Sequence, residues 1–249
     1  STTETGNAKN VDNAEFLIAI IATFGTKYNP SNPAIATTAL QAKVTAGRKS
    51  INDVSLAQGN FFQAASAREE AFKGLLPLTT RIVNTLKAST TSENIDANAT
   101  TIIRKLRGSR AKPLPEPKPA TEGEVAVKPE TVSVSHKSFD SLTDSLDELV
   151  NLLATTPEYA PNEPELKLEA VRAYATELRA KNNAVNAAIA ALDAARAARN
   201  RELYEPDKGL VDLCLTAKLY VKAIFGQSSP EYKQVAKVEF QKNLYALDC

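Results

Sequence analysis

Laid over itself with an offset of 131 residues, this chain repeats, and that repeat limits what it can fold into more than any other feature. Tyr28, Pro30 and Pro33 fall on Tyr159, Pro161 and Pro164. The register then holds without a gap through Asn52 on Asn183, Val54 on Val185 and Arg68 on Arg199. Four residues around Glu205 to Lys208 are inserted in the second copy. The match then resumes, with Gly74, Leu75, Leu78 and Lys87 on Gly209, Leu210, Leu213 and Lys222. Matched alanines count for little in a chain with 39 of them, but the Tyr-x-Pro-x-x-Pro element, the Asn and the Arg are not cheap coincidences. A chain read this way is built from two versions of one supersecondary unit.

Each copy reads as four helices. The first is expected over Val11–Thr26 and Leu142–Thr155, closed by Gly25 or Pro157 with a proline close behind. The second starts at Asn32-Pro33 and at Glu163-Pro164, because proline suits a first helical position whose N–H has no partner anyway. It meets no strong breaker before Gly74 or Pro206, which makes it about 40 residues and roughly 60 Å long. Its apolar seam alternates steps of four and three, the spacing of a helix that packs along its whole length. In copy one the seam is Leu40, Val44, Gly47, Ile51, Val54, Gln58, Phe61, Ala65, Arg68 and Phe72. In copy two it is Val171, Ala175, Leu178, Asn182, Val185, Ile189, Leu192, Arg196, Arg199 and Leu203. Gly47 and Gly59 mark places where the first long helix is expected to bend. The third helices span Leu75–Ala88 and Leu210–Phe225, and the fourth Glu93–Leu106 and Pro230–Asn243, with Ser229 as N-cap.

Between the copies the composition changes. Pro113, Pro115, Pro117, Pro119 and Pro129 crowd one stretch, and alternating prolines favour an extended chain. The period-two segments EVAV and VSVS would suit a short hairpin or edge strands. The expected division is therefore 1–108 as helical repeat 1, 109–137 as an ordered Pro-rich linker, and 138–249 as helical repeat 2. The fold class is all-α.

Charge and motifs exclude more than they assign. With 30 basic and 29 acidic residues the net charge is +1, so no global field steers the chain to nucleic acid or to an acidic membrane. The longest apolar run, Phe16 to Phe24, is about half of the roughly 20 residues a transmembrane helix needs. The first ten residues, STTETGNAKN, lack the order of a secretory signal, and two cysteines, Cys214 and Cys249, make no disulfide framework. A cytoplasmic location is expected. His136 is the sole histidine, no Cys-x-x-Cys occurs, and the nine glycines form no phosphate loop. No metal, no cofactor and no His-led catalytic set can be named. Asp144, Asp147 and Glu148 read as the solvated face of a helix. The basic run Arg104, Lys105, Arg107, Arg110 and Lys112 ends a helix, where cations are favoured, and has no interleaved aromatics.

The polar residues that stand out are Arg68 and Arg199, which occupy equivalent places on an apolar seam, with Arg196 added in copy two. Three roles fit such an arginine: its stem packs while its head reaches solvent, it pairs with a carboxylate and fixes helix register, or it holds a ligand anion. Tyr28 and Tyr159 are matched aromatics at the turn before the long helix, where ring packing and a hydroxyl bond to backbone are expected.

The second copy resembles a family of uncharacterised helical proteins of Bacteroidota through ARAARNRELY (Ala195–Tyr204), GLVDL (Gly209–Leu213), VKAIFG (Val221–Gly226) and SPEYKQV (Ser229–Val235). The likeness extends weakly over copy one. It implies a helical fold and no particular chemistry. From the repeat, the cheap composition and the missing catalytic apparatus, the expected function is a non-enzymatic, self-assembling structural protein. An adaptor that binds a partner in a helical groove and a cofactor-free helical enzyme are the alternatives.

Overall fold

The computed structural model describes residues 2–108 and 138–241, with side chains from Gly6 onward. The linker 109–137, with its expected strands, His136, Arg110 and Lys112, lies outside the described residues, as does Cys249. Among the described residues the chain forms eight α-helices and no strand. They are α1 (Thr2–Ala22), α2 (Thr37–Phe72), α3 (Leu75–Ala88), α4 (Glu93–Arg107), α5 (Phe139–Ala154), α6 (Leu168–Tyr204), α7 (Leu210–Phe225) and α8 (Pro230–Ala236).

Helix boundaries follow local chemistry. Pro33 and Pro164 open single 3-10 turns, Pro33–Ile35 and Pro164–Leu166, rather than the long helices themselves. The next residue is extended in both places, Ala36 at φ −59°, ψ 146° and Lys167 at φ −61°, ψ 146°, and the long helix begins only after it. Each turn inserts one apolar side chain, Ile35 or Leu166, into a core. α1 starts well before the expected Val11. Its buried face continues upstream at the same spacing, but with polar side chains, Asn10 and Asn7, which apolar periodicity does not register. α8 is shorter than expected. After Ala236 the chain leaves the helix, buries Val238, and the Lys218 amine donates to the carbonyls of Ala236 (3.3 Å) and Val238 (2.6 Å). Those two bonds satisfy carbonyls that a longer helix would have used internally.

α2 passes through Gly47 and Gly59 as one continuous helix. Gly47 serves close packing. A Cβ there would lie 3.1 Å from Leu203 and 3.3 Å from Val11.

The helices assemble into two compact units, Ser1–Gln63 with Ala187–Cys249, and Ala64–Asn186. The repeats expected from the sequence and the units do not coincide. Unit 1 joins α1 and the first part of α2, from copy one, to the last part of α6, α7 and α8, from copy two. Its core gathers Val11, Leu17, Ile21, Leu40 and Val44 with Leu203, Leu210, Cys214 and Val221. α7 packs on α1, on α8 and on the turn Pro33–Ile35. Unit 2 joins the last part of α2, α3 and α4 to α5 and the first part of α6. Its core gathers Leu75, Ile82, Leu86 and Ile102 with Leu146, Leu149, Leu153 and Leu178. There α4 packs on α3 and α5, and α3 meets the turn Pro164–Leu166. The division expected from the repeat, one bundle per copy, is thus replaced by two bundles that each take half of both. The cause is that an unbroken long helix carries its seam out of the unit in which it starts. Each fully buried leucine in these cores stabilises by about 1.5–3 kcal/mol.

Candidate functional site

Within unit 2, Arg68 reaches from α2 across to α5 and α6. Its guanidinium carbon lies 3.9 Å from the centre of the Phe139 ring, and that ring stands edge-on to Phe72 at 4.8 Å. Nη1 donates to Asn182 Oδ1 at 3.0 Å, and the Asn182 amide donates in turn to the Asp140 carboxylate. Asn182 is buried, and Asp140 sits in the first turn of α5, where a negative charge meets the positive helix end. The guanidinium Nε is enclosed without an acceptor. Arg68 therefore acts as a flat cation clamped between a ring and a buried amide. Its carboxylate is reached through Asn182 rather than directly. One turn on, Tyr174 donates to the Ala71 carbonyl at 2.6 Å, so α2 and α6 run antiparallel through this unit.

Within unit 1, Arg199 is 5% exposed, and its Nε and Nη2 donate to Asn200 Oδ1 at 3.2 and 2.8 Å. Nearby on α6, the Tyr204 hydroxyl donates to Asn7 Oδ1 at 2.5 Å and accepts from Asn10 Nδ2 at 3.1 Å. Asn10 also exchanges two 2.9 Å bonds with the backbone of Gln241, and Asn13 donates to the Glu239 carbonyl at 2.7 Å. This polar layer fastens the segment after α8 to α1. Arg196 is placed on the seam by its spacing, yet it is exposed and pairs with Asp193 one turn back at 3.3 Å.

Tyr28 and Tyr159 do equal work in the two units. Each hydroxyl donates at 2.7 Å to the carbonyl seven residues on, Ile35 or Leu166, and closes the loop over its 3-10 turn. Burial pushes both phenols up to about 12. Burial likewise lifts the Cys214 thiol to about 12, far from a reactive thiolate.

A matched ion-pair fork had no place in the apolar pattern. Arg48 of α2 reaches Asp12 and Glu15 of α1, both at 2.9 Å, and Arg179 of α6 reaches Asp144 (3.0 Å) and Asp147 of α5. Carboxylate hydrogen bonds hold both guanidinium groups above their usual range. The sequence signal was present, since Arg48 and Arg179 are 131 apart. The carboxylates are 132 apart, because the loop after the first helix is one residue shorter in copy two. Asp144 and Asp147 are therefore clamp residues as well as surface residues. In the basic run, Lys105 pairs with Glu148 at 2.9 Å and Arg107 donates to Thr80 at 2.8 Å.

The surface of unit 2 carries a groove between α4 and α5, about 440 Å³, lined by Asn98, Thr101, Ile102, Glu148, Asn151, Leu152 and Thr155. Its walls are exposed polar residues and Glu148, over Ile102 and Leu152. Among the described residues no cluster of three or more His, Cys, Asp or Glu could hold a metal ion, and no helix is long and apolar enough to cross a membrane. Set against known protein families, curated proteins and solved structures, the chain matches none of them.

Proposed function

We propose that this chain is a non-enzymatic structural protein that associates with copies of itself. The observation that carries this reading is the pair of unbroken helices, 36 and 37 residues long, each a member of two separate hydrophobic cores. Helices about three times the average length, built into both cores, suit a protein whose product is its own shape. The polar side chains that stood out as site candidates support the same reading. Arg68, Asn182 and Asp140 in one unit, and Asn7, Asn10 and Tyr204 in the other, are engaged in holding helices in register. The paired forks of Arg48 and Arg179, and the paired hydroxyl bonds of Tyr28 and Tyr159, support descent of the two halves from one duplicated unit, joined by the Pro-rich linker. The free, buried thiol of Cys214 fits a reducing cytoplasm.

Light scattering and negative-stain imaging of the full chain test this function. Oligomers or larger particles at micromolar concentration are the expected result, and a monomer at every concentration overturns it. One feature favours the adaptor alternative, namely the α4–α5 groove of unit 2. On that reading a purified partner helix would lose binding when Asn151 in the groove is replaced by Arg, while the free chain stays monomeric.

A further inference from the structure

In unit 1 the apolar seam runs out from under its cover. Val54 and Leu192 are buried, at 2% and 6% exposure, yet Ile189, one turn before Leu192 on the same seam, is 43% exposed. On α2, Phe62 follows seam residue Gln58 by one turn and is 56% exposed, with its ring 5.7 Å from that of half-buried Phe61. Counted thirteen residues on from Lys43 and thirteen back from Glu202, which pair at 2.9 Å, Leu56 and Ile189 come level on the antiparallel helices. Phe61, Phe62 and Ile189 thus lie on neighbouring stretches of the two helices.

We propose that this stretch, residues 54–63 of α2 and 187–192 of α6, is a two-fold contact with a second copy of the same chain. The inference rests on the self-association reading and gives it a location. Three observations select a second copy as the occupant. A two-fold contact sets a surface against itself, so every charge would meet its own like. Residues 54–63 and 187–192 contain no Asp, Glu, Lys or Arg. The charges that border them are already neutralised within their own helices, Lys49 by Asp53 at 2.7 Å and Asp193 by Arg196 at 3.3 Å. Finally, Gly59 lies one turn before Phe62 on the outside of α2, and a Cβ there would meet nothing within 4 Å. Proline aside, glycine is the poorest residue for an exposed mid-helix site except where another backbone comes close, and Ala187, Ala188, Ala190 and Ala191 keep the facing stretch of α6 low as well.

Size sets the strength. A standard interface buries about 800 Å² per partner, more than a few partly exposed apolar side chains among alanines supply. The dimer is therefore expected to dissociate on dilution.

Sedimentation velocity of the full chain from about 1 to 200 μM is the test. Wild type should move from monomer to dimer across that range. Phe62→Glu and Ile189→Lys should stay monomeric throughout with unchanged helical circular dichroism, and mixing Phe62→Glu with Phe62→Lys should restore a dimer. A Cβ at position 59 meets nothing within 4 Å among the described residues, so Gly59→Leu should also abolish the dimer, which keeps the test open should a charged variant fold poorly. An oligomer indifferent to Phe62→Glu and Gly59→Leu overturns this contact and leaves the self-association reading standing. A wild-type monomer at 200 μM overturns both.

Discussion

Arg68 shows how much one side chain can hold. Replacing it with alanine removes a cation from the Phe139 ring and a donor from buried Asn182, whose amide then has only Asp140. The ring contact stabilises by about 0.5–2 kcal/mol, and an unsatisfied buried acceptor costs about 1–3 kcal/mol. Arg68→Ala should lower the thermal midpoint by several degrees, at roughly 2–4 °C per kcal/mol for a chain of this size. Arg68→Lys should recover only part of the loss, since an ammonium lacks the planar face. An unchanged melt for Arg68→Ala would show that the clamp contributes nothing.

The buried hydroxyls and thiol give the same scale a pH signature. Folded Tyr28 and Tyr159 hold their protons to about pH 12, against about 10 in the unfolded chain, and Cys214 to about 12 against 9. The folded state binds more protons than the unfolded one between those limits, so stability is full below pH 9 and falls as pH rises toward 12. Urea midpoints at pH 8.5, 10 and 11.5 should decline in that order, and a flat series would contradict it. Native Cys214 should correspondingly resist a thiol reagent until the chain unfolds.

At the scale of elements, most boundaries were legible because they are set locally. α3 and α7 fall at their expected ends, and Ser229 caps α8 through a 3.0 Å bond to the Tyr232 amide. The misreadings share a cause. Asn7 and Asn10 extend α1, and Val238 cuts α8 short, through contacts with residues more than 190 and about 20 positions away, which no local period encodes. The seam was legible as a spacing, but which part of it is covered was not. That depends on where other helices end, as exposed Ile189 and Arg196 show. Gly59 offers a clean measurement at this scale. Its site is helical and open, so Gly59→Ala should raise the stability of the monomer by about 0.5–1 kcal/mol through helix propensity alone. Gly47→Ala, by contrast, would press on Leu203 and Val11, and should not be stabilising.

At the scale of the whole chain, the 131-residue sequence register predicts one partition and the cores obey another. The matched positions are properties of one copy, readable along the sequence. Core membership depends on where a helix of about 54 Å carries its far end, and apolar spacing is the same in either case. The consequence is experimental. Residues 1–108 contain Leu17, Leu40 and Val44 without Leu203, Leu210 and Val221, and Leu75, Leu86 and Ile102 without Leu146, Leu149 and Leu178. Neither core is complete in that fragment, and 138–249 lacks the other half of both. Each fragment alone should therefore show weak helical signal and no cooperative melt. Mixed in equal amounts, they should regain helicity and melt as one species, because every missing core residue is supplied by the other. Were each copy a self-sufficient bundle, 1–108 would fold alone with a sharp transition, and mixing would change nothing. The result separates a chain whose halves merely repeat from one whose halves need each other.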